Sequence, residues 1–196
     1  MEPTHPHSGE FEHVRVIIGV VTGLAMTRLM SGLAGFVQHP AHRAVYPTHL
    51  GWAIYMLLGV MHFWWFEFAL GQTPVWTFEL YLFLICYAAA FYFTCALLFP
   101  DRLDEYRGYA DYFHARQAWF YGFLAGLAAL DLVDSWLKGP AHFQALGPFY
   151  PYRQGAIILV ALVAIFVRDR RFHHAFVVVA LVAEVWWILS RFRFLG

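Results

Sequence analysis

The sequence predicts an all-α protein, a polytopic transmembrane bundle of six helices, and three observations carry that prediction. Six apolar runs, each close to the ~20 residues a spanning helix needs, fill nearly the whole 196-residue chain. Hydrophobic residues make up 61% of it and charged residues only 13%, against the roughly 25% charged of an ordinary soluble domain. The breaks between the runs hold proline, glycine and clustered charge, the residues that end helices. The chain is read as a single membrane domain over residues 1–196.

The first span is read over 11–37. The segment before it, MEPTHPHSGEFEH, has no basic stretch and no small-residue cleavage site, so no cleaved signal peptide is expected. Pro40 and Pro47 separate this span from the second, 45–70. Gly71 to Pro74 leads into the third, 75–99, and Pro100-Asp101 ends it. The fourth covers 113–137 and stops at Gly139-Pro140. The fifth, 152–168, and the sixth, 172–190, form a helical hairpin around Arg168-Asp169-Arg170-Arg171. The loop 138–151 has room for a short interfacial helix, with Phe149, Tyr150 and Tyr152 at headgroup depth. Trp52, Trp76, Trp119, Trp136, Trp186 and Trp187 lie near span ends, as in interfacial aromatic belts.

Orientation follows from Lys and Arg, which concentrate on the cytoplasmic side. Arg43, Arg102, Arg107, Arg116, Arg168, Arg170 and Arg171 follow the odd-numbered spans, against Arg15, Lys138, Arg153, Arg191 and Arg193 on the other side. This bias predicts both termini outside, and for a bacterial inner membrane both periplasmic. Spans 1–3 and 4–6 also share fragments in the same order. Gly23-Leu24-Ala25 recurs as Gly126-Leu127-Ala128, Pro40-Ala41-His42 as Pro140-Ala141-His142, and Tyr46-Pro47 as Tyr150-Pro151. An odd number of spans per unit would invert the second copy, giving a three-plus-three inverted repeat of the kind found in transporters.

Zero net charge gives no electrostatic reason for a nucleic-acid partner. Cys86 and Cys95 lie in one span, about 13 Å apart along a helix, too far to bridge. Neither metal-site spacing nor a GxSxG, HExxH or P-loop pattern occurs, so no enzyme activity, no metal and no cofactor is expected. Among the histidines only His62 lies well inside a span, and bis-histidine haem ligation needs a second one at matched depth.

The informative residues are the ionisable ones inside the spans, which are costly there and usually face the protein interior. Depth from the helical rise places Arg28 about 13 Å and Glu184 about 18 Å from the inner ends of their spans, which predicts an Arg28–Glu184 ion pair. His62, Glu67, Glu79, Asp131 and Asp134 fall in the outer half, with no basic residue inside the spans at that depth. Such a ring of carboxylates would attract cations or take up protons. The function expected is a small channel or transporter for a cation or proton, working as a homo-oligomer in a lipid bilayer. The alternative is a non-catalytic structural subunit of a larger, energy-transducing membrane complex.

Overall fold

The computed structural model describes residues 8–39, 45–67, 70 and 76–191. Among them are seven helices and no strand. These are α1 (Ser8–Gln38), α2 (Pro47–Phe66), α3 (Phe78–Leu98), α4 (Tyr109–Leu137), α5 (Pro140–Ala145), α6 (Tyr150–Phe166) and α7 (Arg170–Arg191). In lipid every backbone polar group must be satisfied within the chain, and helices do this locally.

Four helical segments are long and apolar enough to cross a membrane: Glu12–Gln38, Phe78–Leu98, Tyr109–Leu137 and Arg170–Ser190. The other two expected spans are weaker. α2 has 20 residues but carries His49, His62 and many aromatic residues of low hydropathy. α6 is apolar but only 17 residues long, about 25 Å of helix against a hydrocarbon core of about 30 Å.

The ends of the helices are written locally. Pro47 stands in the first turn of α2, where its missing N–H costs nothing. Thr77 caps α3, its hydroxyl accepting from the Leu80 amide at 3.3 Å. Gly108 and Gly139 precede α4 and α5 with φ of 140° and 100°, backbone that only glycine adopts freely. The end of α6 is closed from another helix. The Gln117 amide on α4 donates to the carbonyls of Ala164 at 3.0 Å, Ile165 at 3.2 Å and Val167 at 2.8 Å. Those are the carbonyls a helix C-terminus leaves without partners.

Packing pairs α1 with α3, α2 with α7, and α4 with both α3 and α6. Close approach depends on two glycines. A Cβ on Gly32 would lie 2.2 Å from the Phe99 ring, and one on Gly51 would lie 2.8 Å from Val177. Trp52, fully buried, meets Tyr55, Phe120, Tyr121 and Phe176 at ring separations of 5.4, 5.3, 5.8 and 5.0 Å, filling the middle of the protein. Trp52 and Trp187 are therefore interior residues, not belt residues. Trp119, Trp136 and Trp186 are exposed as a belt requires. Of the loop aromatics, Phe149 and Tyr152 are exposed, whereas Tyr150 is buried.

Contacts between helices define two ends. At one, Tyr46 meets His114, Arg28 meets Asp101, and Tyr121 meets His173. This arginine end carries Arg102, Arg107, Arg116, Arg168, Arg170 and Arg171, all exposed. At the other, Arg15 stands over Trp64, Lys138 meets Glu67, and His62 meets Glu184. The two halves have helices of matching length, but they pair differently. α1 lies along α3, while α4 lies along α6 and α7 lies along α2. An inverted repeat would pair the equivalent helices alike, so the repeat is not reproduced in the packing. Pro40-Ala41-His42, Arg43 and Arg193 lie outside the described residues.

Candidate functional site

The charged interior collects at the end opposite the arginines, in three linked groups. The first is built on the last turn of α4. Asp134 and Lys138 are four residues apart and so share a helix face. Lys138 Nζ donates to Asp134 Oδ2 at 2.6 Å and to Glu67 Oε1 at 3.0 Å, from just beyond α2. It also sits 4.0 Å from the centre of the Phe66 ring, a cation–π contact. All three charged side chains are buried, with exposures of 2% for Lys138, 6% for Glu67 and 1% for Asp134.

The second group surrounds Asp131, one turn earlier on α4. Tyr150 donates its hydroxyl to Asp131 Oδ2 at 2.6 Å, and Tyr87 donates to Oδ1 at 3.3 Å. The Gln154 amide also donates to Oδ2. With its proton given to Asp131, Tyr150 accepts from Ser135 Oγ, 2.6 Å away. Three donors from α3 and α6 therefore converge on one carboxylate.

The third group joins α6 to α7 and α2. Arg153 pairs with Glu184 through Oε2, and His62 Nδ1 lies 3.3 Å from Glu184 Oε1. The Arg153 guanidinium also stands over the Trp187 ring at 5.4 Å. Asp131, Tyr150 and Gln154 of the second group and His62, Arg153, Glu184 and Trp187 of the third line one cavity of about 80 Å³, whose other walls include Tyr55, Met56 and Leu127. A polar cavity of this size holds a few water molecules. Its wall carries two carboxylates, Asp131 and Glu184, against one permanent cation, Arg153, with the His62 imidazole beside Glu184.

Outside the helices of the bundle, α5 closes this end. His142 packs edge-on against Phe66, with ring centres 5.0 Å apart. Partial burial and the nearby Lys138 charge both disfavour its imidazolium, so its pKa is lowered from the usual histidine value.

Several sequence expectations change here. Four of the five expected outer residues, His62, Glu67, Asp131 and Asp134, do come together at one end. Glu79 does not join them: it is exposed in the first turn of α3, where an acidic side chain favours the helix dipole. The Arg28–Glu184 pair is wrong. Arg28 reaches along its helix to Asp101 at 2.6 Å and to the Phe99 carbonyl at 2.6 Å, while Glu184 belongs to Arg153 and His62. Depth does not say which helices are neighbours, and among the described residues α1 makes no contact with α7. The ring also lacks the purely anionic character expected of it, because Lys138, read in a loop, and Arg153, read at the outer end of the fifth span, fold inward. The i,i+4 spacing of Asp134 and Lys138 was a usable signal for the first. For Arg153, Tyr87, Tyr150 and Gln154 the sequence carries no comparable signal. Gly19 and Gly32 face Trp64 and Phe99 inside the chain.

No protein-family model matches this chain, and neither a curated protein nor a solved structure matches it.

Proposed function

We propose that this protein crosses a bacterial inner membrane six times and moves protons or small cations through the chamber formed by His62, Asp131, Arg153, Gln154 and Glu184. The carrying observation is the charge balance of that chamber. Two carboxylates face one permanent cation in a water-sized cavity between helices. An uncompensated carboxylate is expensive in a low-dielectric interior. A proton taken up by the chamber or a bound cation removes the imbalance, and loss of either restores it. A group that gains and loses one positive charge at this depth is the basic part of a proton or cation carrier. Tight aromatic packing around Trp52, one turn from Tyr55, favours alternating access over an open pore.

The six-span reading is supported by α2 and α6 packing lengthwise against apolar helices that are long enough to span. The buried placement of Lys138 and Arg153 strengthens the orientation argument. Both leave the solvent-exposed count at their end, and the exposed arginines at the opposite end gain relative weight as cytoplasmic. Both termini then face the periplasm.

The test is proton flux into liposomes holding a pH-sensitive dye, after an imposed pH step. Wild-type protein should dissipate the gradient faster than empty liposomes. Asp131→Asn keeps the shape and removes one carboxylate, and should cut the rate by about tenfold, the effect of a single charged group of moderate strength. A wild-type rate equal to that of empty liposomes, or an Asp131→Asn rate equal to wild type, would refute the proposal.

One observation favours the second reading, a structural subunit. Each buried carboxylate of the network already has a partner within the chain. In that case flux is absent, and network substitutions loosen attachment to a partner membrane chain that co-purifies with the wild type.

A further inference from the structure

Beside the chamber, α6 and α7 leave a groove between them. α6 and α7 are joined by a short turn, but they diverge from it, because α6 packs on α4 and α7 on α2. The wedge between them is an apolar groove of about 330 Å³, held open by Ala156, Ala175, Ala180 and Ala183, residues too small to close it. Arg153 and Ile157 line both the groove and the interior chamber, so they stand between the two. Arg153 uses its terminal nitrogen on Glu184. Its Nε–H is buried and has no hydrogen-bond partner among the described residues. A buried donor without an acceptor costs free energy that a ligand can recover.

We infer that this junction binds a single-chain neutral lipid, its apolar tail in the α6–α7 groove and an uncharged hydrogen-bond-accepting head, a carbonyl or a hydroxyl, at Arg153. The inference rests on the reading of the chamber as a binding site and supplies a ligand class for it. Three features set that class. The unpartnered Nε–H calls for an acceptor. Glu184 and Asp131 on the same wall repel an anionic head, since Arg153 is already engaged by Glu184. The groove wall is alanine, valine and phenylalanine along its length, which suits a hydrocarbon chain.

The experiment is equilibrium binding of tritiated decylubiquinone to the full chain in detergent, with dodecanol, dodecane and dodecanoate as competitors at about pH 8, where the carboxylate is charged. Saturable binding near one molecule per chain is expected. Dodecanol should compete, and dodecane and dodecanoate should compete about tenfold less well. Ala156→Phe and Ala175→Phe fill the groove from its exposed side without loading the core, and each should weaken binding by about tenfold. Leu162→Phe, exposed on α6 and away from the groove, should not. Non-saturable uptake, equal competition by dodecane or dodecanoate, or binding indifferent to both groove substitutions would overturn the inference. Because no gradient is involved, this result is separate from the flux result. Binding without flux would overturn the transport reading alone, and flux without binding would overturn this inference alone.

Discussion

Removing the ammonium of Lys138 is the sharpest single perturbation of the network. Its Nζ lies 2.6 Å from Asp134 and 3.0 Å from Glu67, and all three side chains are nearly sealed from solvent. Lys138→Met keeps the stem and deletes the charge. Two carboxylates then face each other in the interior without a cation. Breaking a buried pair by removing one partner costs about 3–5 kcal/mol, and the lost contact with the Phe66 ring adds to that cost. For a domain of this size, 1 kcal/mol corresponds to roughly 2–4 °C, so the melting temperature should fall by on the order of 10 °C. Intrinsic tryptophan fluorescence during a thermal ramp in detergent measures it. Two companions give the reasoning a signature. Lys138→Met with Glu67→Gln and Asp134→Asn removes all three charges and should recover most of the loss, since a neutral triad has little to desolvate. Acidifying the Lys138→Met sample should also recover part of it, because protons replace the missing ammonium. A single substitution costing less than about 1 kcal/mol, the worth of an exposed ion pair, would show that the group is solvated. A triple variant no better than the single one would show that packing, and not charge, is what Lys138 supplies.

Three further outcomes are expected. Gly32→Ala would drive a Cβ to 2.2 Å from the Phe99 ring and should cost about 1–3 kcal/mol by overpacking, whereas Gly23→Ala, with nothing within 4 Å, should be neutral in the same melt. Gln117→Leu strips the α6 C-terminus of its donor to three carbonyls. It should destabilise by about 1–3 kcal/mol per group left without water, and it should speed hydrogen exchange near Val167 before elsewhere. His142 is held neutral in the folded state by burial and by Lys138. Its contribution to stability is therefore fully present above the unfolded histidine value, near about 6.5, and is lost as pH falls through the lowered folded value. A His142→Phe variant should flatten that part of the stability–pH curve, and an unchanged slope would remove His142 as its source.

The segmentation of the chain was largely legible, because it depends on local chemistry. α1, α3, α4 and α7 start and stop within a few residues of the apolar runs. Proline and glycine mark the starts of α2, α4 and α5 through backbone geometry that needs no tertiary partner. The gathering of His62, Glu67, Asp131 and Asp134 was also legible. Charges inside apolar spans must turn away from lipid, and the helical rise sets their height.

By itself, then, the sequence determined the helical class, most boundaries and the apolar composition that points to a membrane. The tertiary structure decided the rest, which concerns direction. Whether Glu184 meets Arg28 or Arg153 depends on which helices are neighbours: α7 packs on α2 and α6 and, among the described residues, makes no contact with α1. Close approach needs small residues, as at Gly51 against Val177 and Gly32 against Phe99. Whether Lys138 and Arg153 are loop charges or interior cations depends on how the chain folds back at α5 and α6. A helix end carries no sequence mark for being turned inward. Charge balance in the chamber, and with it the reading as a proton or cation site, exists only once those side chains have found their partners across four helices.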